Sequence, residues 1–220
     1  MNSLKKKALS ICDILDTIYP DAKCSLEYDE PYQLLIATRL SAQCTDARVN
    51  IVTQTLFQQF PTLESFASAE IKELEEAVKP CGFYHSKAES IKAMCCRLID
   101  VFDCRLPDNM EDLLSLPGVG RKTANLLLGD VYGLPAVVTD THCIRISGRL
   151  GLTKNHAPEQ VEYDLHYILP PDRSARYCHQ IVQFGRDICR ARNPLCSDCP
   201  LKAYCSDPAF TKLVKKTRSE

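Results

Sequence analysis

Leu116-Pro-Gly-Val-Gly-Arg-Lys-Thr-Ala-Asn125 is the stretch on which the fold turns. Asp112, Leu113, Leu114 and Leu116 read as a short helix that Pro117-Gly118 terminates. Gly118 and Gly120 permit a tight turn with positive φ, and a second helix is expected from about Arg121 through Ala124, Leu127, Leu128 and Val131. A helix, a glycine hairpin and a helix present backbone N–H groups at a positive helix terminus, which suits a phosphate. Gly118, Val119, Gly120 and Arg121 are therefore candidate contacts to a nucleic-acid backbone, of the kind that position a protein without reading bases. A plain turn between packed helices would explain the glycines as well, but not the whole string. Lys122 falls in the first turn of the second helix, where the helix dipole and Arg121 disfavour a further positive charge. Shielded from water, such a lysine supplies free amine, a nucleophile that forms Schiff bases with carbonyl carbons. Left in solvent, it is a phosphate-binding cation.

The composition sets the frame around this hairpin. A chain of 220 residues makes one large or two small domains, and 45% hydrophobic with 25% charged residues excludes wholesale disorder. No apolar run approaches the ~18 residues that cross a bilayer. The start, Met1 to Lys7, is basic but lacks an apolar stretch with a cleavage site, so export is not expected. The net charge of −1 confines any polyanion-binding surface to local patches. Glu64, Glu70, Glu73, Glu75 and Glu76 read as a solvated face turned away from a polyanion. Arg173, Arg176, Arg186, Arg190 and Arg192 read as a phosphate-facing run.

Helical periodicity dominates elsewhere. From Ala88 the positions Ile91, Cys95, Leu98 and Phe102 form an amphipathic stripe, with Ser86 and Glu89 as a capping box in front of it. Val161, Leu165 and Ile168 repeat the stripe behind Pro158, and Ile181, Phe184 and Ile188 mark another helix begun near Asp172 or Ser174. Residues 4–18, 31–42, 45–59 and 70–79 also read as helical. Ala136-Val-Val138 is too short to build a sheet on, so the expected class is all-α with about ten helices. Tyr132-Gly-Leu-Pro135 is the best candidate hinge.

Thirteen cysteines, an odd number, argue against a full disulfide framework. Nine are scattered and read as small buried hydrophobes. The other four, Cys189, Cys196, Cys199 and Cys205, follow C-x6-C-x2-C-x5-C. Four thiolates on one loop-rich segment suit an iron–sulfur cluster or a tetrahedral zinc, and spacing favours the cluster only modestly. Arg190 and Arg192 lie on the long loop of this pattern, where a rigid metal site would fix them over a phosphate. Eighteen residues beyond Lys122 comes Val137-Val-Thr-Asp-Thr-His142. Asp140 there is an N-cap for a helix Thr141–Leu150 that carries Arg145 and Arg149, and capping leaves its second oxygen available. His142 reads as a packed histidine without chemistry.

Together these strings resemble the endonuclease III family, bifunctional DNA glycosylases of the helix–hairpin–helix superfamily. The resemblance rests on Leu40-Ser-Ala-Gln-Cys-Thr-Asp46, Gly82-Phe-Tyr-His-Ser-Lys-Ala88, the hairpin, Val138-Thr-Asp-Thr-His142 and the four cysteines, and it spans nearly the whole chain. It implies an all-α, two-lobed fold: a six-helix barrel over 24–134, and an iron–sulfur lobe of 1–23 and 135–220 holding a 4Fe-4S cluster on Cys189, Cys196, Cys199 and Cys205. DNA would lie across the groove between the lobes. It implies Lys122 as nucleophile and Asp140 as the essential carboxylate, with Gln43 entering the space of a flipped nucleotide. Gly82, Phe83, Tyr84 and His85 would wedge the opposite strand, with Phe83 where the family commonly has leucine, and Arg145 would join the DNA contacts. Thr139 and Cys143 depart from the family strings without touching this chemistry. The implied substrate is double-stranded DNA bearing oxidised pyrimidines or abasic sites, cut by β-elimination 3′ to the site. The implied protein is a cytoplasmic, nucleoid-associated monomer of bacterial or archaeal type, without membrane contact. Two alternatives lose ground. A mismatch-adenine glycosylase would place a Glu within Leu34–Gln43, and a non-catalytic module would need neither Lys122 nor Asp140.

Overall fold

Eleven α-helices and three single-turn 3-10 helices make up the regular structure of residues 3–207, the part described by the computed structural model, and no strand occurs among them. The chain divides into two compact units, Cys24–Tyr132 and Met1–Lys23 with Gly133–Glu220. None of the helices is long and apolar enough to cross a membrane.

The first unit runs from α2 (Pro31–Ser41) through α3 (Asp46–Gln59), α4 (Leu63–Ser68), α5 (Ile71–Val78), α6 (Tyr84–Phe102) and α7 (Met110–Leu114) to α8 (Arg121–Asp130). Helix α2 is apolar almost all round, with Leu34, Leu35, Ile36, Ala37 and Leu40 fully buried, and it packs against α3, α6 and α8. Its start is fixed by Gln33, whose Oε1 accepts from the N–H groups of Asp29 at 2.8 Å and Glu30 at 3.1 Å. Helix α6 carries the longest stripe, burying Ile91, Met94, Cys95 and Leu98 against α4 and α5. Phe66 of α4 is wholly enclosed, with Phe60 5.2 Å away ring to ring and Phe57 edge-on at 6.4 Å. Burying such a side chain contributes about 1.5–3 kcal/mol.

The second unit combines α1 (Ser3–Ile18) with α9 (Thr141–Arg149), α10 (Pro158–Ile168) and α11 (Ser174–Asp187). Ile11 and Leu15 of α1 share one core with Ile146, Val161, Leu165, Tyr177, Ile181 and Phe184. Arg173 closes the bundle by donating to Asp13 at 2.8 Å and to Asp16, and Gln180 donates to the other Asp16 oxygen at 2.8 Å. Arg176 donates to the Pro20 carbonyl. These two arginines were expected to face phosphate; they instead join α1 to α11 across roughly 160 residues of chain.

Two further local expectations change. The start of α6 is Tyr84, with Phe83 as its N-cap at φ 51° and no side-chain cap, so Ser86 and Glu89 do not form a capping box. Successive positive φ values at Gly82 (70°) and Phe83 turn the chain straight into the helix, two residues before Ser86. Helix α4 falls inside the acidic stretch and was not expected. Its capping box uses a serine, with Thr62 Oγ1 accepting from Ser65 N at 3.2 Å and Ser65 Oγ accepting from Thr62 N at 3.1 Å. Ala136–Val138 sends its N–H groups to side chains of α11, Ala136 to Ser174 Oγ at 3.1 Å and Val138 to Cys178 Sγ at 3.2 Å. That anchoring accounts for its extended but unpaired backbone.

Candidate active site and iron–sulfur segment

The hairpin joins α7 to α8. Val119 N donates to Leu116 O at 3.1 Å across the turn, and Gly118 takes φ 77°. A Cβ on Gly118 would stand 3.0 Å from Ser90 Cβ and 3.1 Å from Arg39 Nε, so glycine is demanded twice, by backbone and by space. Gly120 differs from the sequence expectation. Its φ is −105°, an extended backbone open to any residue, and a Cβ there would meet nothing within 4 Å. What glycine provides at 120 is a bare approach to the first turn of α8, where helices leave N–H groups without intrahelical acceptors.

Arg121 and Lys122 open α8 and are both exposed. The protein alone therefore does not shield the Lys122 amine from water. Asp140 stands in the other unit as N-cap of α9, its Oδ1 accepting from Cys143 N at 2.7 Å. The cap engages one carboxylate oxygen and fixes the orientation of the other. The segment leading into Asp140 is held by the two bonds to α11 described above.

Gln43 and Phe83 share an unusual feature. Both are non-glycine residues in the left-handed region, at φ 57° and 51°, and both are exposed, Phe83 by 66%. A large exposed aromatic on a strained backbone is a poor use of apolar surface unless something covers it. Tyr84 is half-buried against His85, ring centroids 4.1 Å apart, and His85 Nδ1 lies 2.8 Å from Glu75 Oε1. Arg39, which the sequence did not flag, sits where α2, α6 and the hairpin meet. Its Nη2 donates to Ser86 O at 3.2 Å, and its Nε is buried without a partner.

The four cysteines surround a cavity of about 250 Å³, lined also by Arg149, Ile188, Leu195, Lys202 and Asp207. Among the described residues no three His, Cys, Asp or Glu side chains converge closely enough to share a single ion. A ring of four sulfurs around an open cavity fits a multi-atom cluster better than one zinc with ~2.3 Å bonds. Burial pushes the thiols of Cys196, Cys199 and Cys205 up, Cys199 to about 11, so ionising them calls for a cationic group in their midst. Arg149 braces this segment, donating from Nη1 to Cys189 Sγ at 3.4 Å and Arg190 O at 2.9 Å, and pairing through Nε with Asp207 at 2.9 Å. Arg145, expected on DNA, is engaged within its own unit: Nη2 donates to Cys189 O at 3.0 Å and meets His142 Nδ1 at 3.2 Å. Arg190 and Arg192 are exposed on the loop itself.

His142, Arg145 and Ile146 pack onto Gly185 of α11. A Cβ there would collide with His142 Nδ1 and stand 2.8 Å from Ile146 Cδ1. Gly185→Ala is expected to destabilise by about 1–3 kcal/mol through overpacking. A thermal melt checks this, at roughly 2–4 °C per kcal/mol for a chain of this size.

A glycine hairpin thus leads into a lysine-bearing helix, an aspartate caps α9, and four cysteines line a cavity. Residues 36–171 match the HhH-GPD superfamily of base excision DNA repair proteins, and 189–205 match the iron–sulfur binding domain of endonuclease III. The second match begins on Cys189 and ends on Cys205. Endonuclease III of Synechocystis sp. is 46% identical over 93% of this chain and 94% of its own length, and that of Bacillus subtilis is 37% identical over the same shares. The structure is similar to that of a non-covalent endonuclease III–DNA complex, with a TM-score of 0.88 and 38% identity over 98% of this chain and all of the other. The chain belongs to the endonuclease III family, and is a base-excision DNA glycosylase and abasic-site lyase with that family's 4Fe-4S cluster as cofactor.

Proposed function

We propose that this glycosylase removes oxidised pyrimidines from duplex DNA through Lys122 and Asp140, with Cys189, Cys196, Cys199 and Cys205 holding the cluster. The observation that carries the assignment is the place of Lys122. It lies exposed on the first turn of α8, directly after the hairpin, so the element suited to grip the sugar-phosphate backbone also delivers an amine. Extruding a base costs a few kcal/mol, least for one whose stacking is already damaged, which favours pyrimidines that have lost ring planarity. The extruded sugar covers Lys122 and supplies the shielding that the free protein lacks.

The Lys122 amine forms a bond to sugar C1′ as the glycosidic bond breaks, and the base departs with the electron pair and gains a proton. The Asp140 carboxylate stabilises positive charge on the sugar and accepts the proton that the attacking amine gives up. Ring opening yields the Schiff base, which acidifies C2′. Loss of that proton expels the 3′ phosphate from C3′, and water then releases Lys122. Gln43 fills the space that the extruded nucleotide leaves, Phe83 wedges the opposite strand, and Gly118, Val119, Gly120, Arg121, Arg190 and Arg192 bear on phosphates. The cluster, when bound, supplies rigidity to the segment that carries the last two. The protein acts as a monomer on nucleoid DNA in the cytoplasm. A panel of duplexes, each with one lesion, tests the substrate assignment. Oxidised pyrimidines are expected to be excised at least about tenfold faster than adenine from a mismatch, the difference of a well-matched pocket. Preference for the adenine would contradict it.

A further inference from the structure

Lys87 is the most unusual side chain outside the chemistry just described. It is 1% exposed, yet among the described residues no carboxylate faces it. Its Nζ donates at 2.8 Å to Leu40 O and at 2.8 Å to Cys81 O, while the thiols of Cys44 and Cys81 and the Arg39 guanidinium stand nearby. A buried cation without a counter-ion is costly, and an apolar side chain would fill the space more cheaply. Its bonding partners explain its presence. Leu40 O belongs to the last turn of α2, three residues before Gln43, and Cys81 O ends a 3-10 turn two residues before Phe83. One ammonium thus grips the chain just ahead of both strained, exposed positions. Backbone strain of that kind persists only where the surroundings over-determine it.

We propose that Lys87 is a positioning residue that couples the Gln43 loop to the Phe83 loop, so that the two enter the DNA as one rigid probe. The two segments come from different parts of the unit, and Lys87 is the side chain that bonds to both approach carbonyls. Removing either tip disables the common probe, so removing the second adds little. The inference rests on the reading that Gln43 and Phe83 penetrate the duplex.

A double-mutant cycle tests it, read by single-turnover base excision from a lesion-bearing duplex. Gln43→Ala and Phe83→Ala are each expected to slow excision about tenfold, and the double variant to fall no more than about threefold below the slower single. In a Lys87→Met background the two losses should multiply. There, excision from the duplex should fall about tenfold while borohydride adduct formation at an abasic site in an unpaired bubble, which needs no wedge, stays within about twofold. A general folding defect would lower both readouts together. Multiplicative losses in the wild-type background would overturn the coupling, and that arm decides even if Lys87→Met does not fold. If both single variants excise normally, the loop roles themselves are wrong and the inference goes with them.

Discussion

Asp140→Asn is expected to slow base excision by about 10²–10⁴-fold, the usual contribution of a positioned proton-transfer or charge-stabilising group. Its melting temperature should stay within about 2 °C of the parent, since asparagine is as good an N-cap as aspartate. The proposed catalytic role of Asp140 is separable from its cap because capping engages Oδ1 through Cys143 N at 2.7 Å, a bond that an Asn Oδ1 also accepts. Asp140→Ala should lose the activity and, in addition, about 1 kcal/mol of stability. Single-turnover kinetics beside thermal melts check both. An Asn variant that is fully active would make Asp140 a structural cap and nothing more.

The second large effect concerns the cysteine segment. Between Ile188 and Ser206 the only regular element is the 3-10 turn Lys202–Tyr204, and Leu201 is the only fully buried residue. So little apolar surface cannot order nearly twenty residues, each costing about 1–2 kcal/mol of backbone entropy. Metal ligation and the Arg149 brace have to do it. Cys199→Ala is therefore expected to abolish iron binding and visible colour. Trypsin should then cut at Arg190 and Arg192 at least about tenfold faster, as cleavage follows local opening. A colourless parent protein containing zinc would contradict the cluster assignment to these residues.

How much of this was legible in the sequence varies with the range of the forces involved. The hairpin could be read because Pro117-Gly118 is local turn chemistry, and the helix start at Pro158 because a proline acts within one turn. The cysteine spacing was legible because a shared ligand leaves a count between donors. The partners of Arg173 and Arg176 were not, since Asp13 and Asp16 lie on α1 and Pro20 just beyond it, and charge patterning cannot say which group will answer a base so distant in sequence. Phe83 hid the true start of α6 because a left-handed phenylalanine is rare enough that Ser86 made the better cap. Lys87 did leave a trace: it stands four residues before Ile91, at the head of an apolar stripe, where a lysine is out of place. Its two carbonyl partners, six and forty-seven residues away, had no sequence signature.

In the proposed mechanism the Lys122 amine bonds to the sugar. Borohydride reduction of the protein on abasic-site DNA, followed by protease digestion and mass mapping, tests it directly. The reduced sugar fragment is expected on the peptide containing Lys122, with Lys122→Ala giving no adduct. An adduct on another lysine, or one formed undiminished by Lys122→Ala, would exclude Lys122 as the nucleophile.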